Sequence, residues 1–176
     1  LLLVAMTLIT TTTITNQLFT SYSESVGYGA AFGSLMVTVA MLSDIAWNPL
    51  IGFTCDKFGA DKGVILWCAV TILSFVCLGI GASMPAFAFV GASLNDTMYA
   101  CYGTGIAMLT AFLFGSKDYA KIYSLVPAIG YALGCMGVPI LTSIYQATGG
   151  YNSVWLFCAA CDAVIALCVI LAARNS

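Results

Sequence analysis

Charge is what this sequence has least of. Only 7% of its 176 residues are Asp, Glu, Lys or Arg, where soluble domains carry about 25%. Five cations against seven acids leave a net charge of −2 and no basic patch, which excludes nucleic acid as a partner. Histidine is absent and the acids do not cluster, so no zinc or other transition-metal site is expected. There is no G-x-S-x-G segment and no pair of acids on one helix, which leaves nucleophilic and metal chemistry without candidates. The expectation is of a protein that is not an enzyme and holds no cofactor. Seven of the eight cysteines (Cys68, Cys77, Cys101, Cys135, Cys158, Cys161 and Cys168) lie inside apolar runs, where a thiol packs as a small hydrophobe. Cys158-x-x-Cys161 is therefore read as helix packing and not as a redox motif, which belongs near a βαβ pattern.

What the chain has in abundance is apolar length, at 61% hydrophobic. Six segments, about 1–22, 28–53, 64–82, 85–114, 121–146 and 152–174, each supply the roughly 20 residues a helix needs to cross a bilayer. The predicted fold class is an all-α membrane protein with six transmembrane helices. The turns alternate in character. Those near 54–63 and 115–121, together with the C-terminus, carry every basic residue: Lys57, Lys62, Lys117, Lys121 and Arg174. The positive-inside rule puts these turns and both chain ends in the cytoplasm, and the plasma (inner) membrane is the expected location. The chain opens at Leu1 directly in apolar sequence, without Met or a charged leader. It is read as cut at a membrane boundary, with more protein upstream. Gly29 with Gly33, and Gly130 with Gly134, stand at the small-xxx-small spacing that lets helices approach closely. Gly137 and Pro139 add an expected bend to the fifth span.

Within the spans, ionisable groups are costly and mark function by default. Asp44 and Asp96 fall near mid-bilayer depth with no Lys or Arg beside them. A carboxyl group so placed tends to take up a proton or hold a cation, which suits proton or cation coupling. Asn48 follows Asp44 by one helical turn, and Tyr99 and Gly103 follow Asp96 on one face. Asn16 and Gln17 place an amide pair partway along the first span, after the Thr10–Thr13 run and Thr15. Asp44, Asn48, Asp96, Tyr99, Asn16 and Gln17 are the candidate solute- and proton-binding residues. Asp162, among Cys and Ala, is read as an interhelical hydrogen bonder.

The hairpin between the second and third spans reads Gly52-x-x-x-Asp56-Lys57-x-Gly59-x-x-Lys62. It resembles the cytoplasmic loop motif of the major facilitator superfamily, with Asp61 at a position that family usually makes basic. The stretch from Phe114 to Tyr151, with Gly137-x-Pro139 and Thr148-Gly149-Gly150-Tyr151, resembles oxalate/formate antiporters and monocarboxylate transporters. Asp44-x-x-x-Asn48-Pro49-x-x-Gly52 resembles a helix of the monocarboxylate group, with Asn48 where that group has Arg. The resemblance implies the carboxyl-terminal half of a twelve-helix carrier, built as two inverted three-helix repeats and partnered by an amino-terminal half. It implies secondary active transport of a small solute by alternating access, coupled to protons or by antiport. An organic anion is the group's solute class. With Asn in place of Arg and no other cation in a span, a neutral, zwitterionic or cationic solute is equally allowed. A six-helix channel and a half-size carrier that dimerises are the competing expectations.

Overall fold

A computed structural model describes residues 1–174, apart from the side chains of residues 116–118. Six helices are long and apolar enough to cross a membrane, as expected of an integral membrane protein: α1 (Leu2–Val26), α2 (Ala30–Phe58), α3 (Ala60–Gly81), α4 (Pro85–Gly115), α5 (Tyr119–Thr148) and α6 (Tyr151–Arg174). No strand occurs among the described residues. Buried in lipid, a backbone must satisfy its own polar groups, and a helix does so within one segment.

The expected ten-residue charged turn at 54–63 is corrected by the structure. α2 runs through Asp56 and Lys57 to Phe58, and α3 restarts at Ala60, so Gly59 alone makes the connection. Gly59 holds φ +99°, ψ +146°, a conformation L side chains rarely adopt. Asp61 then sits in the first turn of α3, where a carboxylate favours the positive end of the helix dipole. A Cβ added to Gly59 would meet Asp61 Oδ1 at 2.9 Å. Gly59→Ala is therefore expected to cost about 1–2 kcal/mol, seen as a lower unfolding midpoint in detergent. Lys57 lies over the rings of Phe53 and Phe58, 5.7 and 5.4 Å from their centroids. Lys62 stands in the opening turn of α3, and Lys117 lies outside the described residues.

Helix crossings are close where small residues meet. α1 packs on α5 through Gly130, Gly134 and Gly137, which face Met6, Thr10 and Thr11. α1 also packs on α6, α4 packs on α2 and α3, and α3 packs on α6. Gly33 carries the contact of α2 with α1. Gly29 does not share it: it precedes α2 at φ +84° with open space around it, so it is a helix-start glycine and not a packing one. The expected bend of the fifth span is present, as the helix breaks between Gly134 and Gly137.

The interior is layered. One apolar cluster includes Met6, Ile9, Ile51, Cys68, Met98 and Ile165. A second includes Leu18, Ala40, Phe75, Ala92, Leu141 and Cys158. Along each of α1, α2, α3, α4 and α6 the polar residues fall between the two: Thr12 and Thr15, Asp44, Thr71 and Ser74, Asn95 to Thr97, and Asp162. A polar belt thus crosses the bundle at mid-depth.

Candidate functional site

Two interruptions of the helical backbone lie in that belt. α1 tightens into a 3-10 turn at Ile14–Leu18. α4 stops at Asn95, turns at Asp96, resumes over Thr97–Ala100 and widens into a π-helical turn at Cys101–Gly105. Irregular backbone at membrane depth is tolerated where it is enclosed by protein or lines a wet cavity, and π turns gather at functional sites.

A cavity of about 720 Å³ opens beside both interruptions. Asn16, Gln17, Asp44, Asp96 and Tyr99 all line it, so five of the six candidate residues converge. Asp44 is 14 residues from either end of α2, at about 21 Å by helical rise, which is the middle of the span. Asp96 is only 4% exposed. Its carboxylate accepts no hydrogen bond from the described residues and shares the cavity with Asp44.

Asn48, the sixth residue, stands behind the cavity wall. Its Nδ2 donates to Asp44 Oδ1 at 3.0 Å and to the Asp44 carbonyl at 3.1 Å. Thr104, in the π-helical turn, donates to Asn48 Oδ1 at 2.8 Å. The amide therefore orients Asp44 and ties α2 to α4. Further cross-links fix the wall: Thr15 Oγ1 donates to Asn95 Oδ1 at 2.9 Å, and the Trp47 indole donates to the Ser93 carbonyl at 2.8 Å.

The sequence reading missed Tyr131 and Cys135, which line the cavity from α5. Their only signal was proximity to the glycines that bend that helix. Thr104 was also missed, although Gly103 and Gly105 on either side of it mark the irregular turn. Of the loop motif, Gly52 faces Thr104 Cγ2 at the α2–α4 crossing. Asp56, Lys57, Gly59 and Lys62 cluster at the helix ends, away from the cavity.

Asp162 is fully buried. The Thr12 hydroxyl of the facing α1 lies beside it, where an interhelical partner is expected, and also donates to the Ile9 carbonyl at 3.0 Å.

No family model, curated protein or solved structure matches this chain.

Proposed function

We propose that the chain is one six-helix bundle of a secondary transporter of the major facilitator kind, moving a small solute by alternating access with coupling to protons or by antiport. The observation that carries this reading is the mid-depth cavity, lined by Asp44 and Asp96 and flanked by the 3-10 turn of α1 and the break of α4 at Asp96. Broken helices at the midplane are where transporters bind solutes. The packing lends support: α1 with α5 and α6, and α4 with α2 and α3, is the exchange expected of two three-helix repeats. The cavity wall includes the exposed side chains of Met41, Tyr99, Tyr131 and Cys135, so it is open to one side. A second bundle, the amino-terminal half or another copy of this one, would close it against the apolar faces of α2 and α5. With basic residues at the Gly59 hairpin, the start of α5 and the end of α6, both ends would face the cytoplasm of an inner or plasma membrane.

The test uses a thiol already in place. Cys135 is the exposed one of eight free cysteines, the other seven being buried. In proteoliposomes of the full gene product, a membrane-impermeant thiol reagent is expected to label Cys135. Conditions that raise labelling from one side, such as an imposed pH gradient, are expected to lower it from the other. A channel would let both rise together, and a dry bundle would show labelling from neither side; either result rejects the carrier reading.

A further inference from the structure

We infer that the cavity takes a solute with a cationic head, such as a protonated or quaternary amine; this deepens the carrier reading above and rests on it.

The first ground is charge. Asp44 and Asp96 line the cavity, and no Lys or Arg among the described residues does. Asp96 is the stronger observation, since the residue is 4% exposed, lines the cavity, and accepts no hydrogen bond from the described residues. Two ionised carboxylates lining one cavity repel each other. A cation between them relieves that repulsion, whereas an anion adds a third negative charge.

The second ground is the polarity of the hydrogen-bonding groups. The Thr10 hydroxyl donates to the Met6 carbonyl at 2.8 Å and the Thr13 hydroxyl to the Thr10 carbonyl at 3.0 Å. Their protons are spent, and what they turn to the cavity is acceptor lone pairs. Asn48, which occupies the position of the family's arginine, has likewise spent its amide on Asp44. The carboxylates and acceptor hydroxyls complement an ammonium group, and the amides of Asn16 and Gln17 on the same wall can accept as well as donate. The third ground is aromatic. Tyr99 and Tyr131 line the same space, and phenol rings attract cations through their faces.

The experiment compares two methanethiosulfonate reagents of matched size on Cys135, one carrying trimethylammonium and one sulfonate, in the full gene product. The ratio of their rates is referred to the same ratio for a free thiol in solution. The expected result is a cation preference about tenfold above that reference, as clefts of one charge sign concentrate counter-ions. It should fall as salt is raised and collapse in the Asp44→Asn, Asp96→Asn double variant. Asp162→Asn, which removes an acid outside the cavity, should leave it unchanged. Tetramethylammonium should slow labelling and propionate should not. A ratio equal to that of the free thiol, a ratio insensitive to salt, or protection by propionate in place of tetramethylammonium would overturn the inference while leaving the carrier reading intact. Labelling by neither reagent would instead overturn the carrier reading, and this inference with it.

Discussion

Replacing Asp96 by Asn is expected to lower coupled solute uptake about a hundredfold, the scale of losing one buried charge partner, while the protein still folds and inserts. The side chain is enclosed, accepts no hydrogen bond from the described residues and faces the cavity. Asn keeps its volume, strands no partner, and removes both the charge and the capacity to take up a proton. The measurement is uptake into proteoliposomes with and without a pH gradient, set against the amount of folded protein recovered. Asp44→Asn should abolish the proton-driven component in the same assay. Unchanged proton-driven transport in that variant would remove Asp44 from the mechanism.

Gly134→Val is expected to cost about 3 kcal/mol or more, as overpacking at a contact with no room to yield does. A Cβ at Gly134 would run into the Cβ, Cγ2 and Oγ1 of Thr10. The neighbouring contacts leave little slack, since a Cβ at Gly130 would lie 3.0 Å from Met6 Cβ and one at Gly137 would lie 3.1 Å from Thr11 Cα. Relief would require α5 to move off α1, which also displaces Tyr131 and Cys135 from the cavity wall. An unfolding titration in mixed micelles measures the loss. Gly103→Ala serves as the control, for nothing lies within 4 Å of a Cβ at that glycine, and its midpoint should stay close to wild type.

The six spans and the convergence of Asp44, Asp96, Tyr99, Asn16 and Gln17 were legible because hydropathy and intramembrane polarity act residue by residue. What escaped the sequence depends on neighbours. Whether Ile14–Leu18 tightens or Cys101–Gly105 widens is decided by what packs across the bundle, and no local propensity announces it. The spacing of Asn48 to Asp44 lets it hydrogen-bond Asp44 along its own helix, but that Thr104 completes the pair from α4 depends on the packing of two helices. Charge composition made residues 54–63 look like a loop, yet one glycine sufficed to reverse the chain.

The widened turn at Cys101–Gly105 carries a consequence for how α4 is read along its length. A π turn is one residue inserted into an α-helix, which advances everything beyond it by about 100° around the axis. The face bearing Asp96 and Tyr99 toward the cavity is therefore out of phase with the face that continues past Ile106 into the apolar cluster around Leu109. One surplus residue lets a single helix turn Asp96 and Tyr99 to the cavity and, beyond it, pack Ile106 and Leu109 among its neighbours.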